Sequence, residues 1–245
     1  MIKKSIVVII GLMCIWQLIV YIFRLPEYLL PGPLEVFRSV WLYRGLLCVQ
    51  AWPTIVETLI GLFFGVLLGA SMSLTMILFH PVRYWMMPVL ILSQAIPTFV
   101  FAPLLVIWLG YGLSSKVAIT IFALFFPVAS AFFDGLMRTR TGWLDLAETM
   151  EGSRWRKVWF IRIPAALPAF ASGIKVATAW APMAAVIGEW VGASEGLGYL
   201  MLDANARVDI NLVFAALIVL VVFSLTLYFV VDRALKFLIP WANEL

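Results

Sequence analysis

Long apolar runs separated by short polar segments decide what this chain can fold into. An α-helix needs about 20 consecutive apolar residues to cross a hydrocarbon core about 30 Å thick. Six stretches of roughly that length are present: Ser5–Phe23, Thr54–Phe79, Met86–Leu109, Val117–Leu136, Ala169–Val191 and Leu212–Val231. Only 12% of the 245 residues are charged and 64% are hydrophobic, with a mean hydropathy of +1.06. The sequence therefore predicts an all-α, polytopic membrane protein with one transmembrane domain over residues 1–245.

Basic side chains are divided unevenly between the two sides of these spans. If the N-terminus is cytoplasmic, eleven fall on the inner side: Lys3, Lys4, Arg83, Arg138, Arg140, Arg154, Arg156, Lys157, Arg162, Arg233 and Lys236. Four fall on the outer side, at Arg24, Arg38, Arg44 and Arg207, while Lys116 and Lys175 lie at span ends. The positive-inside rule then predicts that both termini and residues 137–168 lie in the cytoplasm.

Several functions are disfavoured by what the sequence lacks. Two cysteines and one histidine do not supply a disulfide framework or a metal cluster. There is no GxxxxGK[ST] pattern, so the chain does not carry that nucleotide-binding loop. His80 alone, beside Pro81 at a predicted turn, is a poor basis for catalysis. Few charged residues lie within the spans and no internal repeat is visible, so an ion-coupled secondary transporter is disfavoured but stays an alternative.

The polar segment between the fourth and fifth spans has an amphipathic pattern. Its first half places four apolar residues at helical spacing on one face: Trp143, Leu146, Ala147 and Met150. Gly152 should break this helix and Ser153 should cap a second one, whose apolar positions are Trp155, Val158 and Trp159. Pro164 and Pro168 are expected to end it. The periodicity fits a docking element for another protein, and it fits equally a basic loop resting on the membrane surface.

A family resemblance favours the docking element. Asp145-Leu146-Ala147 and the later "IRIPAALPA" resemble the EAA loop of ABC importer permeases. The segments "LLPGPLEVF", "QAIPTFVFAPLLVIWLGYG", "SRWRKVWFIRIPAALPA" and "GEWVGASEGLGYLM" resemble the nitrate/sulfonate/taurine-type branch of that family, and most closely its permeases for thiamine pyrimidine precursors. Two departures concern the polar segment between spans four and five: Asp145 is shorter than the usual glutamate, and Glu151 stands where the family has glycine, with Gly152 one place later.

This resemblance implies a type I ABC importer permease fold, a location in the bacterial inner membrane and a division of labour. Two copies of the chain would form the pore, two ATPase subunits would bind the polar segments between spans four and five, and a periplasmic or lipoprotein solute-binding protein would deliver the solute. ATP and Mg²⁺ would be bound by the ATPase, with no cofactor on this chain and no nucleic-acid partner. The implied ATPase-coupling residues are Trp143, Asp145, Ala147, Met150, Glu151, Gly152 and Trp155. The implied solute is hydroxymethylpyrimidine or a formylated aminopyrimidine, with nitrate, sulfonate, taurine or another small organic solute as the alternatives.

Residues for a translocation path are expected in spans three and five. Gln94, Pro97 and Thr98 should break span three, since proline frees a backbone carbonyl that lipid cannot satisfy. The break either lines a path or is a packed kink. In span five the candidates are Trp180, Pro182 and Met183, for which helix packing is the alternative, and Glu189. Glu189 either acts at the outer gate or reaches water or pairs with Arg207 or Lys116.

Two further expectations concern single positions in the spans. Gly61, Gly65 and Gly69 recur every four residues, which lets another helix approach span two closely. We expect packing within the chain, and an interface between two copies is the alternative. Asp134 and Glu57 lie near span ends, where we expect both to be solvated.

Overall fold

The computed structural model describes residues 2–24 and 26–242, with only the backbone described at residues 2–10, 94 and 95. That part of the chain is helical and has no β-strand, which confirms the predicted all-α class. The described helices are α1 (Ile2–Phe23), α2 (Pro33–Leu42), α3 (Arg44–Leu78), α4 (His80–Ala95), α5 (Thr98–Leu109), α6 (Leu113–Met137), α7 (Thr141–Thr149), α8 (Arg154–Lys157), α9 (Ile163–Gly192), α10 (Leu197–Ala206) and α11 (Ile210–Leu238). A π-helical turn, Val158–Arg162, joins α8 to α9.

Four of the six predicted spans are present as helices that are long and apolar enough to cross a membrane. They are Arg44–Leu78, Leu113–Met137, Arg154–Gly192 and Ile210–Leu238. The first predicted span lies within α1, but the side chains of residues 2–10 are outside the described part, and the remaining apolar helix, Gly11–Phe23, is short. That span therefore stays a prediction.

The third predicted span, Met86–Leu109, is not one continuous helix. Helices α4 and α5 meet at an angle of 103° across a break of at most four residues, as either a broken span or a re-entrant loop. The break falls at Ile96 and Pro97, where the backbone is extended. Proline cannot donate the helical hydrogen bond and pushes the preceding residue out of the α region. The expected break at this proline is confirmed, and it is sharper than a kink.

The centre of the bundle is formed by α3, α6 and α9. Gly61, Gly65 and Gly69 all lie against α6: a Cβ at Gly61 would come within 2.3 Å of the Thr120 side chain, and one at Gly69 within 2.7 Å of the Phe125 carbonyl oxygen. The predicted close approach is confirmed as packing within the chain. Helix α9 also packs closely on α6, where a Cβ at Gly173 would lie 2.8 Å from that of Ala131.

Helix α9 starts earlier than the prolines between the fourth and fifth spans predict. The expected stop at Pro164 and Pro168 is wrong, because the helical path runs from Arg154 through the π turn to Gly192. Pro164 lies just after the π turn, at the start of α9. The wider π turn before it re-registers the backbone hydrogen bonds. The polar segment is consequently joined to the fifth predicted span by continuous helix.

The polar segment at residues 138–162, here called the insert, lies at one end of the bundle. We call that end of the bundle the insert end and the opposite one the far end. Near the insert end, the Lys175 ammonium of α9 lies 2.8 Å from the Asp232 carboxylate of α11, and Lys236 lies 2.7 Å from the same carboxylate. At the far end, α10 packs between α3 and α11 through Leu197 and Leu200.

Candidate functional site

The insert presents an apolar face to solvent, as its periodicity predicts. No residue of α7 is buried, and the side chains of Trp143, Leu146 and Met150 are 48%, 62% and 75% exposed. Ala147, between them, is half-buried. Trp155, after the turn, is 54% exposed. Exposed apolar residues clustered on one face of a short helix are typical of a surface that contacts another protein or the membrane interface.

The turn between α7 and α8 explains the departures at Glu151 and Gly152. The Gly152 N–H donates to the Ala147 carbonyl at 2.8 Å and the Glu151 N–H donates to the Glu148 carbonyl at 3.0 Å. These two bonds form a Schellman motif, in which Glu151 occupies the left-handed position with φ 56°. Gly152 is needed one place later, because a Cβ there would lie 2.6 Å from the Ala147 carbonyl oxygen. The shifted glycine therefore serves close approach, and the left-handed position is held by a glutamate.

Polar contacts fix the insert to the ends of the bundle helices. Ser153 caps α8 by accepting a hydrogen bond from the Arg156 N–H at 3.4 Å, as expected. Arg154 donates to the Ile77 carbonyl of α3 at 3.3 Å, and Arg162 donates to the Leu136 carbonyl of α6 at 3.2 Å. A force on the insert would therefore reach the two helices at the centre of the bundle, and α9 directly.

Four of the seven candidate path residues line one cavity of about 590 Å³ beside the α4–α5 break: Pro97, Thr98, Trp180 and Met183. Its other walls include Phe122 and Phe126 of α6. The side chain of Gln94 lies outside the described residues. Pro182 is buried within the bundle, on a different side of α9 from Trp180 and Met183. The break and the middle of α9 are thus brought together around this cavity.

Glu189 lies elsewhere, in a buried polar cluster at the far end. Its side chain accepts hydrogen bonds from the Thr54 hydroxyl and from the Gly198 N–H. Beside it, the Lys116 ammonium lies 3.0 Å from the Glu57 carboxylate, with side chains 5% and 1% exposed. The expected solvation of Glu57 is wrong, because α6 and α9 cover that part of α3. Arg207 pairs with Asp203 at 2.8 Å and not with Glu189.

This cluster holds the N-terminus of α10. Three successive N–H groups that begin the helix are each bound by a side chain: Gly196 by Gln50 at 2.7 Å, Leu197 by Thr54 at 2.8 Å, and Gly198 by Glu189. The first N–H groups of a helix have no partner within the helix, and a carboxylate also complements the helix dipole. Gly196, at φ 112°, leaves no room for a Cβ, which would lie 2.3 Å from the Glu189 carboxylate.

Sequence reasoning found Glu189 but missed its neighbours. The polar residues of α3 that complete the cluster lie more than 130 positions from Glu189 along the chain. The glycines before and at the start of α10 were the available signal, because they permit a carboxylate to approach the backbone. Among the residues that the structure describes, no group of three or more His, Cys, Asp or Glu side chains is arranged to hold a metal ion.

Comparisons with known proteins identify what this chain is similar to. Residues 36–244 match the family model described as "Binding-protein-dependent transport system inner membrane component". The chain is 44% identical over 229 residues to a "Probable ABC transporter permease protein" of Haemophilus influenzae, covering 94% of each. It is 33% identical to the formylaminopyrimidine transport permease protein ThiX of Halalkalibacterium halodurans, covering 95% of this chain and 93% of that one. It is 25% identical to the taurine transport system permease protein TauC of Escherichia coli, over 95% and 87%.

The fold has a counterpart among solved structures. An inward-facing structure of the MetNI methionine ABC transporter aligns with a TM-score of 0.68 over 78% of this chain and 95% of that chain. The sequence identity in that alignment is 19%, so the likeness concerns the fold.

Proposed function

The chain belongs to the family of binding-protein-dependent transport system inner membrane components, and from this premise we propose that it conducts a thiamine pyrimidine precursor across the membrane. It is the permease of an ABC importer, a transport component. Hydroxymethylpyrimidine and a formylated aminopyrimidine are the solutes proposed. The relative at 33% identity whose name specifies formylaminopyrimidine supports this choice, since the identity extends over nearly the whole of both chains.

The cavity beside the α4–α5 break is the observation that carries the proposal. Its volume of about 590 Å³ is within the usual range of small-molecule sites, roughly 300–1,000 Å³. Aromatic walls at Phe122, Phe126 and Trp180 suit a flat ring by stacking. Thr98 and Ser93 place hydroxyl groups on its lining, which suit the ring nitrogens and the amino group of a pyrimidine.

The same cavity is less suited to the anionic solutes of the branch. Among the described residues, its lining contains no arginine, lysine or histidine. Taurine carries a sulfonate, and an aliphatic sulfonate or nitrate is an anion, so moving any of them into this lining would bring a charge next to apolar side chains without a cation. An uncharged aromatic solute avoids that cost.

The exposed face of α7 is the proposed ATPase contact. Trp143, Ala147 and Met150 would enter a groove on the ATPase, in the way an amphipathic helix binds a hydrophobic groove. Asp145, Glu151, Gly152 and Trp155 would shape the turn and its rim. ATP and Mg²⁺ would be bound on the ATPase. Two ATPases that close on each other would move two inserts. Because each chain carries one insert, the proposal requires two copies of this chain.

The far end is the proposed docking side for a solute-binding protein. There the Glu189 cluster fixes α10, which we place as part of the outer gate. Glu189 positions this helix by binding its N-terminal N–H groups, and it does not line the cavity beside the break. The insert end, with both termini, is the proposed cytoplasmic side, because most basic residues lie there.

Uptake by cells tests the proposed solute. A strain that cannot make the pyrimidine moiety of thiamine and that depends on this transporter should accumulate radiolabelled formylaminopyrimidine or hydroxymethylpyrimidine. Trp180→Ala should lower that uptake about tenfold, which corresponds to about 1.4 kcal/mol of lost stacking. Trp190→Ala is the matched control: Trp190 is also on α9 and 50% exposed, against 57% for Trp180, but it does not line the cavity.

The possible outcomes test the proposed solute class and the proposed cavity independently. Uptake of labelled taurine or sulfonate, with none of either pyrimidine, would refute the proposed solute class. Equal uptake by the Trp180 and Trp190 variants would refute the cavity as the path while leaving the solute class in place.

A further inference from the structure

A basic cavity lies where the insert meets the bundle. It has a volume of about 520 Å³, and its lining includes four cationic side chains, Arg83, Arg154, Lys157 and Arg162, and two carboxylates, Asp145 and Glu148. These residues come from α4, from α7 and α8, and from the π turn. The cavity therefore carries a formal excess of two positive charges, and it joins segments that are distant in sequence.

The arginines of this cavity are held in place without being neutralised. Arg154 and Arg162 each donate to a backbone carbonyl, and the Arg83 guanidinium lies 5.2 Å from the centre of the Phe133 ring. Within the described ranges, none of the three forms an ion pair with a carboxylate. Lys157 lies 3.5 Å from the Glu148 carboxylate, which is 74% exposed. Each guanidinium has five N–H donors, so most remain available to a ligand, and their geometry suits phosphate oxygens.

A second, apolar cavity continues from the first. It has a volume of about 400 Å³, shares His80 and Arg83 with the basic cavity, and extends along α4 over Met87, Pro88 and Ile91. Ile91 is 63% exposed, so this groove opens on the outer surface of the bundle. A ligand that fills both cavities needs an anionic group at one end and an apolar chain at the other.

Aromatic residues beside Arg83 indicate the depth of this site in the membrane. Tyr84 and Trp85 are 74% and 72% exposed and follow Arg83 at the start of α4. Exposed tryptophan and tyrosine side chains mark the interface between headgroups and hydrocarbon. The guanidinium of Arg83 is consequently at headgroup level, and the groove over Met87 and Ile91 faces the acyl chains.

We propose that these two cavities bind an anionic phospholipid, with its phosphate among the arginines of the insert end and one acyl chain along α4. Basic pockets between membrane helices are suited to such headgroups. The lipid would connect α4, which is otherwise joined to the insert by few contacts, to α8 and the π turn. An inorganic phosphate ion would use the basic cavity alone.

Lipid retention by the purified, full-length chain tests this site. The chain is extracted from membranes, exchanged into detergent, and titrated with phosphatidylglycerol or phosphatidylcholine of identical acyl chains, with bound lipid counted by native mass spectrometry. Phosphatidylglycerol should bind at least tenfold more tightly. The double variant Arg83→Gln/Lys157→Gln should remove most of that preference. Arg138→Gln/Arg233→Gln, which changes two exposed arginines outside the cavity, should retain it.

Two further arms identify the ligand. Ile91→Asn, an exposed change in the groove, should weaken phosphatidylglycerol several-fold while the thermal midpoint of the chain stays the same. Inorganic phosphate at millimolar concentration should fail to displace the lipid. Equal binding of the two lipids, or equal loss in both double variants, would overturn the proposal. Full displacement by inorganic phosphate would also overturn it and would identify a site for free anions.

Discussion

Removing Lys116 should destabilise the chain more than any other single change of charge at the far end. Its ammonium lies 3.0 Å from the Glu57 carboxylate, and the side chains are 5% and 1% exposed. Glu189, 1% exposed, lies in the same cluster. Lys116→Met keeps the length of the side chain but leaves two buried carboxylates without their cation. Breaking a buried pair by removing one partner costs about 3–5 kcal/mol, since the remaining charge stays desolvated.

Thermal unfolding of the detergent-purified chain measures this cost. For a chain of this size, 1 kcal/mol shifts the unfolding midpoint by about 2–4 °C, so Lys116→Met should lower it by roughly 6–20 °C. Lys175→Met is the matched control. Lys175 also pairs with a carboxylate on a neighbouring helix, but Asp232 keeps Lys236 at 2.7 Å and the site is partly exposed. We expect a cost below about 1 kcal/mol there.

A double variant distinguishes the loss of the Glu57–Lys116 ion pair from other effects of replacing Lys116. Glu57→Leu/Lys116→Met removes both charges, so the uncompensated Glu57 carboxylate is gone and the Glu189 carboxylate keeps its hydrogen bonds from Thr54 and Gly198. Replacing a whole buried pair by apolar side chains is often neutral, so at least half of the lost stability should return. A difference of about 2 °C in the unfolding midpoint corresponds to a cost of under about 1 kcal/mol. If the midpoints of Lys116→Met and Lys175→Met differ by no more than that, the buried cluster is refuted. A double variant less stable than Lys116→Met would refute the pairing.

Three other changes test the insert and the helix packing. Ala147→Arg places a charge on the exposed apolar face, and burying that charge in the ATPase groove should cost about 3 kcal/mol. ATPase binding should therefore weaken about a hundredfold while the abundance of the chain in the membrane stays normal. Thr141→Arg, outside that face, should leave ATPase binding unchanged. Glu151→Gly removes the strain of a non-glycine residue in the left-handed conformation, about 1 kcal/mol. Amide hydrogen exchange in the turn should therefore slow about fivefold. Faster exchange would contradict the Schellman motif. Gly69→Ala puts a Cβ 2.7 Å from the Phe125 carbonyl and should cost about 1–3 kcal/mol in thermal unfolding, whereas Gly45→Ala, with nothing within 4 Å, should cost less than about 1 kcal/mol.

Patterns confined to one helix were sufficient to predict much of this structure. The spacing of Gly61, Gly65 and Gly69 depends only on helical geometry, and it correctly predicted a close helix partner. Pro97 predicted the break between α4 and α5, because proline lacks the N–H that a helix interior requires. That effect depends only on its own backbone. The exposed face of α7 followed from the spacing of its apolar residues in the same way.

Features that depend on tertiary neighbours could not be predicted. Glu57 was placed at a span end by hydropathy, but whether a residue near a helix end is solvated depends on which helices cover it. Pro164 does not end the helix as its sequence context predicts, because the π turn before it changes the register of the backbone hydrogen bonds. The partners of Glu189 come from α3 and from the start of α10, which only the packed bundle brings together.

Reconstitution into proteoliposomes tests the central claim most directly. Vesicles would contain the full chain with the ATPase that copurifies with it, and the solute-binding protein would be added outside with labelled formylaminopyrimidine or hydroxymethylpyrimidine. We predict accumulation that requires ATP inside the vesicles and that is lost with Ala147→Arg but retained with Thr141→Arg. Accumulation without ATP, driven by an imposed ion gradient and unaffected by Ala147→Arg, would contradict the account and would identify a secondary transporter.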